Sequence, residues 1–505
     1  MQTLDWIIRH AETMYRNQPA IVDGDTRLSY GELGARCRRL GSALRRRGVK
    51  RGDRVATLLA NSHRYLELHL TLPSIGAVVV PLNNRLSPQE MQYILDDSGA
   101  SLLIIDTASE ALVAALRPHV QSVLVCPHEY EAAVDSGAVE PLPGPESENS
   151  LAGLYYTGGT TGPAKGVMLT HRNLVSENTA LGLSGFLEPD MTFLYVFPLF
   201  HLASIAVVYG LNWIGARQVF LPAVDPRRIL ATIGEERITH TSMVPTVINT
   251  LIHHPDAATA DFSSLRVITH GAAPIAPDLC RAAVKTFRSN FCQAYGMTEA
   301  SGVVTLLRNE QDYLAHERIR SAGRVLPGME VVVRRPDGTP CDPREAGEIT
   351  VRGPNIMLGY WNKPKQTAEV LRDGFYWSGD VGFLDEDHYL FIVDRSKDMI
   401  ISGGENVYST ETEAALMSHE AVLECAVIGI PDHKWGEAVL AVVHLKPGHA
   451  AEEAELIAHC RRQIAGYKCP KSIEFVSSEL PKSAVGKILK REIRAGYWAG
   501  RPAVI

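Results

Sequence analysis

The chain has 505 residues, 45% apolar and 21% charged, with a formal net charge of −7. That length supports several structural units with substantial cores, and the ordinary composition excludes a disordered chain or a small disulfide scaffold. The acidic balance argues against nucleic acid or an anionic membrane as a partner. Eight cysteines are scattered through the chain with no C-x-x-C pair. They fit unpaired thiols in a reducing compartment, and a cytoplasmic location is expected. The opening Met1-Gln2-Thr3-Leu4-Asp5-Trp6 carries an early acid, and no signal peptide is expected.

In chain order, Ala20-Ile21-Val22 and Arg27-Leu28-Ser29-Tyr30 flank Asp23-Gly24, a hairpin signal, and Ser29 is placed to cap the next helix. The arginines of that helix, Arg38, Arg39, Arg45, Arg46 and Arg47, read as a solvated face. Residues 55–60, 77–82 and 101–106 read as buried strands, and Ser87-Pro88-Gln89-Glu90 as a capping box with proline at the first helical position. The repeated β-α-β order predicts a mostly parallel sheet covered by helices. Residues 135–150, rich in Pro, Gly and Glu, read as a linker between two such lobes.

Next comes Tyr155-Tyr156-Thr157-Gly158-Gly159-Thr160-Thr161-Gly162-Pro163-Ala164-Lys165-Gly166. Its glycines let successive N–H groups turn toward one anion, its threonines add donors, and Lys165 adds a mobile positive charge. A polyphosphate needs those features; a flexible surface loop fits the same residues. It is not a Walker loop, where Lys follows Gly and Ser or Thr follows Lys.

Residues 191–216 contain no Asp, Glu, Lys or Arg, but Pro198, His201, Ser204 and Asn212 interrupt the run. A buried strand, turn and core helix is expected there, not a membrane span. Strands near 238–244, 266–270 and 290–295 resume the alternation. His270-Gly271-Ala272-Ala273-Pro274 would let a flat ring or phosphate lie against the backbone, or form a plain tight turn. Tyr295-Gly296-Met297-Thr298-Glu299 offers an aromatic plate, a hydroxyl and a carboxylate suited to Mg2+ beside phosphates. Ser378-Gly379-Asp380 offers a carboxylate for ribose hydroxyls, although such acids also serve in caps and turns. From about residue 323, short strands and turns at Asp337-Gly338 and Asp385-Glu386-Asp387 indicate a small β-rich subdomain. After Arg395 the chain turns mixed α/β for roughly a hundred residues, enough for a small domain.

Taken together, 156–166, 295–299, 376–380, Asp394-Arg395-Ser396-Lys397-Asp398-Met399-Ile400-Ile401-Ser402-Gly403-Gly404-Glu405-Asn406-Val407-Tyr408 and Pro481-Lys482-Ser483-Ala484-Val485-Gly486-Lys487 are five motifs in a specific order. In these the chain resembles the adenylate-forming enzymes, which include acyl-CoA synthetases, peptide-synthetase adenylation domains and firefly luciferase. The resemblance runs from near residue 20 to near 495. It implies an α/β fold. An N-terminal domain, 1–394, would hold two sheet-and-helix lobes and the β-rich subdomain. A hinge at 395–397 would lead to a mobile α+β C-terminal domain, 398–505. It also implies ATP, Mg2+, CoA and a small-molecule carboxylic acid as ligands, and is compatible with a homodimer. A carboxylate would attack the α-phosphate of ATP, and a thiol would then take the acyl group and release AMP.

Carried over residue by residue, the resemblance assigns Thr157, Gly158, Gly159, Thr160, Thr161, Gly162 and Lys165 to the phosphates and Glu299 to Mg2+. Tyr295, Gly271, Ala272 and Ala273 would frame adenine, with Gly296 and Thr298 adjoining, and Asp380 and Arg395 would hold ribose. Lys487 would bridge the attacking carboxylate and the α-phosphate, completing a catalytic set with Glu299, Thr157 and His201. Lys397 would be the hinge, and Gly403, Gly404 and Glu405 would line the pantetheine channel. His201, Ala203, Val207, His270, Ala294 and Val303 would wall the acyl pocket. The walls are mainly apolar, and 191–216 lacks an Asp to bind a substrate amine. A medium or branched fatty acid, or an arylalkenoic acid, fits better than an amino acid.

No carrier-protein domain is expected after Lys487, which favours free CoA over loading of a carrier. The end Pro502-Ala503-Val504-Ile505 is no peroxisomal address. An inactive nucleotide-binding regulator is the alternative of another class, and intact Glu299, Asp380, Arg395 and Lys487 argue against it.

Three positions depart from the family pattern. Gly158 stands where Ser is usual, Ala164 where Pro is usual, and Ala294 where many relatives have Gly. One added methyl at Ala294 would shorten the pocket. Losing the serine hydroxyl removes a phosphate donor and adds loop entropy. Gly158→Ser should therefore lower the ATP Michaelis constant severalfold. An ATP titration of pyrophosphate release checks this, and an unchanged constant would mean the missing hydroxyl carries no phosphate contact.

Overall fold

The computed structural model describes residues 3–157, 163–272, 275, 277–308, 317–395, 398–402, 405–433, 435–482 and 488–498. Local chemistry sets the first elements. Ser29 and Glu32 satisfy each other's amides at the start of helix Tyr30–Arg46. Ser87 and Glu90 do the same for Pro88–Ser98, which Gly99 ends at φ +61°. The expected hairpin forms between Pro19–Asp23 and Thr26–Ser29.

Among the described residues the strands build four sheets. The first has seven strands, in the order Gly359–Tyr360, Lys165–Thr170, Leu151–Thr157, Val78–Pro81, Arg54–Leu58, Leu102–Asp106 and Ser122–Cys126. The second has nine: Arg324–Val325, Gly302–Leu307, Asn290–Met297, Val267–Gly271, His240–Met243, Thr192–Tyr195, Arg217–Phe220, Pro19–Asp23 and Thr26–Ser29. Their interior strands are parallel and buried on both faces, which explains the near-continuous apolar runs. One apolar cluster, including Tyr65, Tyr155, Leu169, Phe193 and Tyr209, spans both sheets.

The reading of 135–150 as a boundary between lobes is corrected. Residues 137–150 contain no helix or strand, but the chain then returns to the first sheet with Leu151–Thr157 and Lys165–Thr170. The opening hairpin meanwhile joins the second sheet, with Ile21 parallel to Gln218. The lobes are interleaved because the fully buried Ala20 and Ile21 find their cover beside Arg217–Phe220.

Residues 191–216 form strand Thr192–Tyr195, a turn and helix Leu202–Trp213, apolar on every side and buried accordingly. Among the described residues no helix is long and apolar enough to cross a membrane. The expected arginine face is largely paired. Arg38 bonds Glu12, Arg46 donates to the Ser136 carbonyl, and Arg45 lies 3.9 Å from Glu140. The eight cysteines are free thiols, seven of them buried.

A third sheet contains Glu330–Arg334, Gly347–Arg352, Phe375–Leu384, Leu371–Arg372 and Leu390–Arg395. Both predicted turns are present in it: Asp337 accepts from Thr339 N, and Asp385 from the amides of Asp387 and Tyr389. The fourth contains Glu405–Val407, Ile400–Ser402, Gly436–Leu445, Val422–Asp432 and Ser472–Val476, with helices Ser409–Met417, Glu453–Arg461 and Lys490–Trp498. The chain thus changes sheet between Arg395 and Ile400.

Candidate active site

Thr157 ends its strand opposite Lys165 across the antiparallel pair. Gly158, Gly159, Thr160, Thr161 and Gly162, the loop between them, lie outside the described residues. The Lys165 ammonium sits 4.2 Å from the centroid of the Tyr360 ring, a cation–π contact. On the same tyrosine, the O–H donates to Glu299 Oε1 at 2.9 Å. Burial, and then the charge of Glu299, hold the Tyr360 phenol far above its ordinary range, so it remains a donor. Tyr376, also buried, is raised for the same two reasons.

Glu299 occupies the single 3-10 turn Thr298–Ala300, directly after strand Asn290–Met297, and is only 9% exposed. Residues 355–357 fix this turn. Met357 N donates to the Glu299 carbonyl at 2.9 Å, Asn355 Nδ2 to the Ala300 carbonyl at 2.8 Å, and Ser301 Oγ to the Asn355 carbonyl at 2.6 Å. Among the described residues no group of three or more metal-ligating side chains gathers. A carboxylate held by a phenol whose ring also meets Lys165 fits Mg2+, which takes one or two carboxylates and fills its shell with phosphate and water oxygens.

The strands beside this turn approach one another unusually closely. A Cβ on Gly271 would lie 2.5 Å from the Ala294 carbonyl oxygen, and one on Gly296 would lie 1.7 Å from that of Gly302. Only glycine allows this spacing. Ala272 takes φ +64°, a left-handed conformation that functional turns retain at a cost in strain. Ala273 lies outside the described residues. The Tyr295 O–H donates to Asp380 Oδ2 at 2.8 Å, which ties the aromatic plate to the carboxylate expected at ribose. Arg395 stands opposite Asp380 in the strand register.

His201 caps helix Leu202–Trp213, its Nδ1 accepting from Ala203 N at 3.2 Å. Burial lowers the imidazole to about 4, so it is neutral near pH 7 and suits a wall or gate better than an acid–base group. Ala203, Ala294 and Val303 are part-exposed within an otherwise buried region, with Val207 buried one turn beyond Ala203. His270 departs from the expected pocket. Its ring lies 6.1 Å from Phe291, and Phe291 and Ile268 belong to the second apolar cluster. Val267, Ala294 and Val303 pack against the largest cluster. Side chains alternate along a strand, so Thr269, not His270, shares the face of Val267 and Ala294.

Lys487, Lys397, Gly403 and Gly404 lie outside the described residues. Glu405 is exposed, paired with Ser402 in its hairpin. Sequence reasoning missed Tyr360, Asn355 and a cluster at the sheet change. There Asp394 accepts from Ser409 N at 2.5 Å and Ser409 Oγ at 2.7 Å. Lys490 bonds Ser409 Oγ at 2.5 Å and Glu413 at 2.7 Å. The nearest signal was positional, since Lys490 follows Lys487 by three residues.

Known proteins resemble the chain along its whole length. Residues 8–361 match the family of AMP-binding enzymes, and residues 411–487 match the AMP-binding enzyme C-terminal domain. The chain is 43% identical over 493 residues to a feruloyl-CoA synthase of an Amycolatopsis species, covering 97% of this chain and 98% of that protein. It is 33% identical to a long-chain-fatty-acid–CoA ligase of Mycobacterium tuberculosis, covering 99% and 100%. The crystal structure of ATP-bound MatB from Rhodopseudomonas palustris superposes with a TM-score of 0.90 at 30% identity, covering 98% and 99%.

Tyr360→Phe would keep the ring under Lys165 and remove the donor to Glu299. Carboxylate-dependent pyrophosphate release should slow roughly tenfold to a hundredfold, the scale of a hydrogen bond to a charged group. Rates at saturating ATP check this; an unaltered rate would remove the phenol from the machinery.

Proposed function

The chain belongs to the AMP-binding, adenylate-forming enzymes as an AMP-forming acid–CoA ligase that binds ATP, and from that premise we propose that its acid is an arylalkenoate of the hydroxycinnamate class. The 43% identity to a feruloyl-CoA synthase across 97% of the chain carries this choice. The mainly apolar walls, with the added methyl of Ala294 and the close approach of Gly302 to Ala206, are compatible with that acid.

We assign the first half-reaction to a domain spanning 1–394. Thr157, the glycine- and threonine-rich loop and Lys165 hold the β- and γ-phosphates. Tyr360 keeps Lys165 and Glu299 in register with each other. Mg2+ bound at Glu299 would offset the phosphate charge that repels an incoming carboxylate. Tyr295 with Gly271, Ala272 and Ala273 flanks adenine, and Asp380 with Arg395 holds ribose. Lys487 delivers its ammonium where charge develops, between the attacking carboxylate and the α-phosphate. The carboxylate oxygen bonds to phosphorus as the bond to pyrophosphate breaks.

Lys487 must then leave before a thiol can enter. The tail, 398–505, turns about Lys397 and brings Gly403, Gly404 and Glu405 to the CoA channel. The thiol sulfur bonds to the acyl carbon, and AMP departs.

Lys487→Ala should lower adenylation roughly a hundredfold or more, the scale of losing a preorganised donor. Thioester formation from synthetic acyl-adenylate should largely survive. Equal loss in both half-reactions would contradict the role. In a pyrophosphate-release screen, hydroxy- and methoxycinnamates should show the highest kcat/KM, above saturated fatty acids; the opposite order would overturn the aryl assignment.

A further inference from the structure

Helix His171–Leu183 packs against Leu202–Trp213, and its Glu177 has no exposed surface. Oε1 accepts from Val303 N at 3.3 Å, and Oε2 from Asn178 Nδ2 at 3.1 Å. Asn178 is itself committed, donating to the Leu174 carbonyl and accepting from Gly210 N. Among the described residues no cation pairs with Glu177. Burial holds its carboxyl well above the ordinary range.

That arrangement is incomplete in either protonation state. An ionised Glu177 would be a buried charge without a counter-ion, which is costly. A neutral Glu177 has an O–H to donate, yet both of its oxygens face N–H donors. Among the described residues the partners of both oxygens are donors, and neither can take that proton. The surroundings of Glu177 indicate where an acceptor would arrive. Val303 is a pocket wall, and a Cβ at Gly302 would lie 3.3 Å from Glu177 Oε1 and 2.7 Å from Ala206 Cβ. Ala206 lies five residues beyond His201, a rise of roughly 7 Å along the helix. Glu177 therefore lies behind Gly302 and Val303, with Ala206 against Gly302, where the inner end of the proposed pocket would be.

We propose that Glu177 determines specificity by donating a hydrogen bond to an oxygen substituent, hydroxyl or alkoxy, at the distal end of the acid. This rests on the acyl-CoA ligase reading and on the pocket assigned above. Acids that bring such an oxygen complete the bonding of Glu177; acids ending in hydrogen or methyl leave it unsatisfied.

The test compares two matched pairs of acids by kcat/KM: 4-hydroxy-3-methoxycinnamate against cinnamate, and an ω-hydroxy fatty acid against its unsubstituted parent. The unaltered enzyme should favour the oxygenated member of the pair it accepts by roughly tenfold or more, because an unpaired buried polar group penalises the other. Glu177→Leu should move that ratio toward one, and Glu177→Gln, which can still donate, should retain most of it. No preference in the unaltered enzyme, or a parallel loss for both members in Glu177→Leu, would overturn the proposal. Turnover of only the fatty-acid pair would defeat the aryl reading, and the ratio within that pair would still judge Glu177.

Discussion

The hydrogen bond from Tyr360 to Glu299 joins the two large sheets beside Lys165, at the proposed phosphate site. Tyr360 belongs to the edge strand of the first sheet, opposite Val167, while Glu299 follows a strand of the second. Residues 353–357 run between them. Asn173 Nδ2 donates to the carbonyls of Pro354 and Ile356, each at 2.8 Å, while fully buried Asn355 ties the same segment to Ala300. Asn173 Nδ2, Asn355 Nδ2 and Ser301 Oγ each hold a carbonyl on another element, so the spacing between Lys165 and Glu299 follows from the packing of both sheets. Such preorganisation lets a lysine and a carboxylate stabilise a transferring phosphoryl group without reorganising during the reaction.

The same tight spacing continues at Gly271 and Gly296, where the carbonyls of Ala294 and Gly302 approach too closely for any side chain. The tail side is held differently. Asp394 takes two hydrogen bonds from Ser409, and Thr410 Oγ1 bonds the Val393 carbonyl, so the first helix of the tail is tethered to the last strand before the proposed hinge. A rotation about Lys397 must either carry these bonds or exchange them. Because Lys490 reaches Ser409 and Glu413, the helix following Lys487 moves with the same tether.

Local features were readable in the sequence, and distant pairings were not. The capping boxes at Ser29 and Ser87 each depend on residues three apart, and the strand, turn and helix of 191–216 on its own composition. The exchange of strands between lobes was hidden because Ile21 pairs with Gln218, nearly two hundred residues away, and no local pattern encodes that choice. His270 shows how a strand misleads: with a period of two, a difference of one position turns a side chain to the other face. The glycine- and threonine-rich run and Lys487 stand in recognisable motifs but lie outside the described residues, whereas Tyr360 had no motif to mark it. Glu177, in Val175-Ser176-Glu177-Asn178, reads as an ordinary solvated helix position. Its burial comes from Gly302 and Val303 crossing over it from another sheet.

That crossing would give the proposed acyl pocket two kinds of selectivity of unequal strength. Apolar walls such as Ala294, Val207 and Val303 would discriminate by volume, and a single methylene in such a pocket changes selectivity by only about 1–3 kcal/mol. A buried polar group acts more sharply, because a substrate without the matching atom leaves it unbonded in a dry site. Alanine and valine walls suit alkyl and aryl acids alike, so shape alone separates them weakly. Glu177, buried beside Val303 with both oxygens facing donors, would supply the asymmetry that shape lacks. The apolar composition of the walls and the single acid behind them are therefore complementary, since a dry surround is what makes one hydrogen bond decisive.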